Sequence, residues 1–270
     1  MKIGTRDFDI EHMTYIMGIL NMTPDSFSDG GKFNQMDAAL FHVEEMIKEG
    51  ASIIDVGGES TRPGYTRISD EEEIQRVTPI IKEIKKRFDI PISIDTYKSK
   101  VAVAAVESGA DLINDIWGLK ADSEMARVVA DFGVACCLMH NRVITDYSDF
   151  MEDMLKDLKE SITLAKKAGI SDDKIILDPG VGFAKSYEQN LIAIQQVGRL
   201  KELGYPVLLG TSRKSVVGLT LDTDKKERVE GTLVTSVFGV QQGCAFLRVH
   251  DVKENLRAVN MTRAIMQGRR

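Results

Sequence analysis

The sequence predicts a single-domain α/β protein, a (β/α)8 (TIM) barrel. Two observations carry this. Short runs rich in Ile, Val and Leu alternate with longer helical patterns from one end to the other. There are eight strand-then-helix units of about 34 residues each, and a barrel of this kind typically takes roughly 250 residues in all. A doubly wound open sheet is the runner-up, because the same alternation builds both. No composition shift, low-complexity tract or linker marks a second domain.

Residues 1–14 read as a lead-in, a hairpin covering the barrel bottom, and residues 15–270 as the barrel. The expected strands are Tyr15–Leu20, Ser52–Val56, Ile92–Asp95, Leu112–Asn114, Val134–Met139, Ile175–Asp178, Val207–Gly210 and Phe246–Val249. Such near-continuous apolar runs suit strands covered on both faces. Asp70–Phe88 is an expected helix. Ser69 sits at its cap, four acids crowd its positive end, and Ile74, Val77, Ile81 and Ile84 form one apolar stripe. Phe150–Ala168 and Ser186–Leu203 read as helices on the same grounds, and a final helix, Val252–Met266, follows the last strand. Gly231–Gly243 is unusually small and apolar for a surface helix, so it either packs on the barrel or forms an interface in a homodimer.

The chain carries 41 acidic and 35 basic residues, a formal charge of −6. That balance argues against nucleic-acid binding, which needs a basic face, but not against an anionic substrate met by a local cluster of cations. Three cysteines without a CxxC pair give no disulfide framework or thiolate zinc site. They read as reduced buried thiols of a cytoplasmic protein. The N-terminus carries acids before its short apolar run, unlike a signal peptide, and no apolar stretch approaches the roughly 20 residues that span a membrane.

In a (β/α)8 barrel the chemistry sits at the C-terminal ends of the strands. Here those ends deliver Asn21 and its Gly-rich loop, then GGESTRPG, Asp95, Asn114–Asp115, Met139–His140–Asn141, Asp178–Phe183, Gly210–Ser215, and Arg248 with His250 and Asp251. Eight polar or Gly-rich ends in one ring are stronger evidence than any one of them. Two chemistries separate within the ring. Asp95, Asn114 and Asp178 at an apolar mouth need donors, and a planar heterocycle with amino and ring N–H groups supplies them in fixed directions. Lys214 can reach a ring carbonyl, and Arg248 can lie on the ring face. The alternative is that the acids pair with Lys214, Arg213 and Arg248. The second chemistry is anion binding. Asn21, Thr61, Arg62, Arg248 and His250 lie on or beside loops whose N–H groups can cradle a diphosphate. The alternatives are a solvated Arg62 and a strand-capping His250. Mg²⁺ carried mainly by diphosphate, with one oxygen from Asn21, fits this set. No HExxH pattern, dinucleotide fingerprint, Walker A loop or GxSxG elbow is complete.

The segments NMTPDSFSDGG (21–31), GGESTRPG (57–64), SIDT (93–96), IND (113–115), LMH (138–140), DPGVGFAKS (178–186), GTSRKS (210–215) and RVHDV (248–252) together resemble the bacterial dihydropteroate synthases, pterin-binding barrels of the folate pathway. The match runs from Tyr15 to the last helix. It implies a transferase that condenses 6-hydroxymethyl-7,8-dihydropterin diphosphate with 4-aminobenzoate, uses Mg²⁺, is usually a homodimer and is a target of sulfonamides. It implies that Asp95, Asn114, Asp178 and Lys214 read the pterin edge, with Ile116 and Met139 lining its slot and Arg248 covering the ring. Asn21, Thr61, Arg62, Arg248 and His250 would hold diphosphate, with Asn21 the metal ligand. Phe27, Pro63, Phe183, Lys214 and Ser215 would frame the aminobenzoate, with Asp29 beside Phe27 on the first loop. Asp95, Lys214, Arg248 and Asn21 are the expected catalytic set. Met22 stands where Val is common in the family and Ala184 where Gly is common, and the segment after His140 lacks a frequent Gly-containing loop. A related methyltransferase barrel would share Asp95, Asn114 and Asp178 but has no use for STRPG or SRKS. A non-catalytic pterin-binding barrel has no use for the full polar ring.

Overall fold

A hairpin opens the chain, with β1 (Lys2–Ile3) antiparallel to β2 (Arg6–Asp7). It brings Ile3 and Phe8 under a barrel, and both are buried. Phe8 packs edge-on against Tyr15 with ring centroids 4.8 Å apart, and lies 5.6 Å from Phe246. The computed structural model describes residues 1–23, 32–59 and 67–268, and for 32–34 the backbone alone.

The barrel strands are β3 (Tyr15–Asn21), β4 (Ile53–Gly57), β5 (Ile92–Asp95), β6 (Leu112–Asp115), β7 (Ala135–Met139), β8 (Ile175–Asp178), β9 (Leu208–Leu209) and β10 (Phe246–Val249). All pairs are parallel, in the order β8-β7-β6-β5-β4-β3-β10-β9. A bridge between Leu177 and Val207 joins the two outer strands, and Leu177 N donates to Pro206 O at 2.9 Å. The sheet therefore closes on itself, and the chain is one (β/α)8 barrel rather than an open sheet.

Around it run α1 (Lys32–Lys48), α2 (Asp70–Arg87), α3 (Ser99–Glu107), α4 (Met125–Phe132), α5 (Phe150–Lys167), α6 (Tyr187–Gln195), α7 (Ser215–Leu221), α8 (Val229–Gln241) and α9 (Val252–Gln267). Local signals start several of them. Ser69 Oγ accepts from Glu72 N at 3.1 Å, Asp149 caps α5 through Met151 N and Glu152 N, and Ser186 and Gln189 make a reciprocal capping box on α6. The α2 stripe buries Val77, Ile80, Ile81 and Ile84 against the outer faces of the strands.

The expected helix Ser186–Leu203 is broken. It ends at Gln195 and resumes as 3₁₀ turns over Val197–Leu203. The cause is tertiary. Gln242 Nε2 donates to Gln195 O at 2.7 Å and to Ile194 O at 3.3 Å, while its Oε1 accepts from Gly198 N at 3.0 Å. A side chain 44 residues downstream thus takes the carbonyls that end the helix and the N–H that begins the next turn.

Candidate active site

Side chains alternate across a strand, so every second residue of each strand faces the barrel interior. The lower interior is apolar: Met17, Ile53, Leu112, Cys137, Ile176, Leu208 and Phe246 form one buried cluster with Ile3 and Phe8. Two residues further along five of those strands the character changes, to Asp55, Asn114, Met139, Asp178 and Arg248. Asp95 completes the layer from β5. Asp95, Asn114 and Asp178 are buried, and Asp55 is wholly buried.

Arg248 is the centre of this layer. Its Nε donates to Asp55 Oδ2 and its Nη2 to Asp95 Oδ2, each at 2.6 Å. The two carboxylates outweigh the effect of burial and hold the guanidinium firmly charged. Burial pushes Asp95 up to about 7 despite Arg248, and the nearby Asp55 adds to the rise. Asp95 Oδ1 and Asp55 Oδ1 are buried and accept no hydrogen bond among the described residues. An orphaned buried acceptor is costly, and it suits a ligand that brings N–H donors.

Asp178 is pinned differently. Its Oδ1 accepts from Gly180 N at 2.6 Å, and burial raises its pKa although Lys214 opposes the rise. Lys214 donates to Val181 O at 2.5 Å and lies 4.9 Å from the centre of the Phe183 ring. Burial lowers its ammonium to about 8. Of the anticipated acid–cation pairs, the direct contact in this structure is Asp95 with Arg248. Arg213 instead makes a two-pronged pair with Asp251.

Ile116 and Met139 are buried with Tyr97 in a small cluster, and Phe183 and Trp117 pack against it. The expected pterin-slot and aminobenzoate residues are therefore neighbours. Ser215 is exposed at the first turn of α7. His250 faces Ser212, with Nδ1 3.0 Å from the hydroxyl. Asn21 ends β3, and a Cβ placed on Gly57 would lie 3.7 Å from Asn21 Oδ1 and 3.8 Å from Asp95 Oδ2. A Cβ there would make ordinary van der Waals contact with both, so Gly57 lies directly beside these two oxygens. Among the described residues no three His, Cys, Asp or Glu side chains gather to hold a metal. One amide oxygen without a carboxylate cluster fits Mg²⁺ carried by phosphates and water. Phe27, Asp29, Thr61, Arg62 and Pro63 lie outside the described residues.

One supporting residue, Asp55, was missed in the sequence, and two that it did name, Arg213 and Asp115, serve to shape turns. Asp55 sits inside a strand and not after it, although alternation from Ile53 would have placed it inward. Arg213 adopts a left-handed backbone, φ 56°, which is costly for a residue with a Cβ. It is held there by Thr232 Oγ1 on its N–H at 3.1 Å, by Asp251 on its side chain, and by Arg228 Nη1 on its carbonyl at 3.1 Å. That turn delivers Lys214 to the mouth. Asp115 points away from the interior and accepts from Trp117 N and Leu119 N at 2.9 and 2.7 Å, shaping the turn after β6.

A closed barrel with buried carboxylates, a buried amide and two half-buried cations over its apolar floor defines a binder of a flat, N–H-rich ring. The profile of the pterin binding enzyme family matches residues 17–250. Dihydropteroate synthase of Clostridium beijerinckii is 63% identical over 268 residues, covering 99% of this chain and all of that one. Among solved structures, dihydropteroate synthase of Clostridium difficile with pteroic acid superposes with a TM-score of 0.94 at 52% identity, covering 96% of this chain and 99% of that one. The Yersinia pestis enzyme in complex with a sulfonamide drug gives 0.93 at 38% identity, covering 99% of each chain. The chain belongs to the pterin binding enzymes, and within them to the dihydropteroate synthases.

Proposed function

We infer that this chain joins 6-hydroxymethyl-7,8-dihydropterin diphosphate to 4-aminobenzoate, releasing 7,8-dihydropteroate and diphosphate. The observation that carries the reading is the layer of Asp95, Asn114 and Asp178 around Arg248, buried over the apolar barrel floor. In this reading Asp95 and Asp178 accept from the amino and ring N–H groups of the pterin, Asn114 adds an amide, and Lys214 donates to the ring carbonyl. Ile116 and Met139 flank the ring. Arg248, Asn21 and His250, with Thr61 and Arg62 of the second loop, meet the diphosphate. Phe183, Lys214 and Ser215, with Phe27 and Pro63, frame the aminobenzoate.

The C–O bond to diphosphate breaks first and diphosphate keeps the electron pair, leaving a methylene cation conjugated with the electron-rich ring. Asp95 favours that positive charge through space, and Arg248 favours the departing anion. The arylamine then forms the C–N bond and gives up a proton. No covalent enzyme intermediate is needed, and the three cysteines offer none. All are buried, and burial pushes each thiol well above its ordinary range. Mg²⁺ held by Asn21, water and diphosphate would neutralise the leaving group. Sulfonamides, as arylamine mimics, would compete for the aminobenzoate site.

The same reading includes a homodimer. Leu191, Val217, Leu221, Val234 and Phe238 line an apolar groove between α6, α7 and α8, and Val234 is 58% exposed. A second copy would cover it, and Val234→Glu should then sediment as a monomer. Among the described residues no helix is long and apolar enough to cross a membrane. The free buried thiols suit the cytoplasm. The decisive test is diphosphate release from the pterin diphosphate, which must depend on both 4-aminobenzoate and Mg²⁺. Absence of release with both present ends the synthase reading.

A further inference from the structure

Behind the rim lies a cluster of titratable groups with no part in the chemistry above. Lys185 Nζ meets three acceptors: His140 Nδ1 at 2.9 Å, Gly180 O at 2.9 Å and Phe183 O at 3.0 Å. An ammonium has three donors, so the set is matched one to one. His140 Nδ1 can accept only if the ring proton sits on Nε2, and Nε2 faces Asp157 Oδ2 at 3.0 Å. Asp157 is fixed in turn by Arg142, whose Nε and Nη2 reach it at 2.5 and 3.2 Å. The chain Arg142–Asp157–His140–Lys185 therefore links the loop after β7 and α5 to the loop after β8.

That loop has little freedom left. Gly180 has φ 68°, and a Cβ there would lie 2.0 Å from His140 O. Gly182 N donates to Asn190 Oδ1 at 2.5 Å, and Tyr147 OH donates to Ala184 O at 2.7 Å. The two groups it presents inward are Val181 O and the Phe183 ring, and both contact Lys214. Lys185 ties down the carbonyls on either side of this pair, at Gly180 and Phe183.

We propose that Lys185 is a positioning residue: braced by His140 and Asp157, it sets the 178–186 loop so that Val181 and Phe183 orient Lys214 and shape the arylamine side of the site. The proposal rests on the assignment of Phe183 and Lys214 to the aminobenzoate, and it separates from that assignment in the test. Lys185→Met keeps length and loses the three bonds, and Asp157→Asn weakens the brace from outside. Steady-state kinetics on Lys185→Met should show KM for 4-aminobenzoate raised by about tenfold or more, since misplacement of about an ångström in a supporting group has effects of that order. KM for the pterin diphosphate should rise by less, because Asp95, Asn114 and Arg248 still hold the pterin when Lys214 shifts, Lys185→Arg should recover part of the loss, and Asp157→Asn should shift the aminobenzoate constant in the same direction. Amide hydrogen exchange of the ligand-free protein should show protection lost at 180–184 in Lys185→Met and kept in β5 and β6. Unchanged exchange at 180–184 overturns the proposal whatever the activity. So does an equal rise in both KM values, which a general loss of structure would produce. If the wild-type chain releases no diphosphate, the functional reading fails while the exchange experiment still decides the role of Lys185.

Discussion

Arg248 and Asp95 meet across the barrel mouth through Nη2 and Oδ2 at 2.6 Å, and the same guanidinium holds Asp55 from the other side. Two buried carboxylates thus share one cation, and each keeps one oxygen without a hydrogen bond among the described residues. Removing the cation takes from both buried acids the counter-charge they are hydrogen-bonded to. Arg248→Ala should therefore cost about 3–5 kcal/mol of stability in urea unfolding. It should also weaken diphosphate binding strongly in calorimetry. Unchanged affinity for diphosphate would remove Arg248 from the anion site.

Asp95 carries a stability cost that function explains. Burial raises its folded pKa to about 7 from an ordinary 3.8. Between those values the folded state holds a proton that the unfolded chain has released, so this group's contribution falls as pH rises through the window and is lowest above about 7. Asp95→Asn removes the titration. Its Tm relative to wild type should rise between about pH 4 and about pH 7 and level off above that, while kcat/KM falls by about 10²-fold or more. Near wild-type turnover of this variant would overturn the catalytic role of Asp95.

The pH profile follows from two groups with neighbouring values. Asp95 must be ionised to accept from the pterin and to favour the cation, and it titrates at about 7. Lys214 must keep its ammonium to donate, and burial has brought it down to about 8. The dependence of kcat/KM on pH should be a narrow bell bounded by those values. Lys214→Arg keeps its charge at higher pH, so it should flatten the alkaline limb while lowering the maximum. An alkaline limb that does not move in Lys214→Arg would assign it to another group.

Much of this site was legible because barrels place chemistry at strand ends and because those ends are easy to find in apolar runs. Asp95, Asn114, Asp178 and Arg248 all came from that rule, and the structure gathers them in one layer. Asp55 escaped it because it lies inside the strand Ile53–Gly57, two residues before its end, rather than after it. The pairing of Arg213 with Asp251 joins two loops 38 residues apart, and no spacing in either loop announces it. The end of α6 depends on Gln242 in the same way. What escaped the sequence was tertiary: which donor reaches which acceptor once the barrel has closed.

The last expectation concerns stability beside the second strand-end loop. Lys98 is buried with two acids, and its Nζ donates to Glu59 Oε2 and Glu73 Oε2, each at 2.8 Å. Glu59 also accepts from Ile68 N at 2.9 Å and from Tyr97 OH at 2.8 Å, and Lys98 donates to Ile68 O at 2.9 Å. The cluster therefore ties residue 59 to residue 68 across the segment between them. A cation serving two buried carboxylates cannot be removed cheaply. Lys98→Met should lose about 3–5 kcal/mol in urea unfolding, because two uncompensated acids remain. Neutralising Glu73 as well should return part of that loss, since Glu73→Gln leaves one buried charge in place of two. A double variant no more stable than Lys98→Met alone would mean that lost packing of the lysine stem, rather than stranded charge, sets the cost.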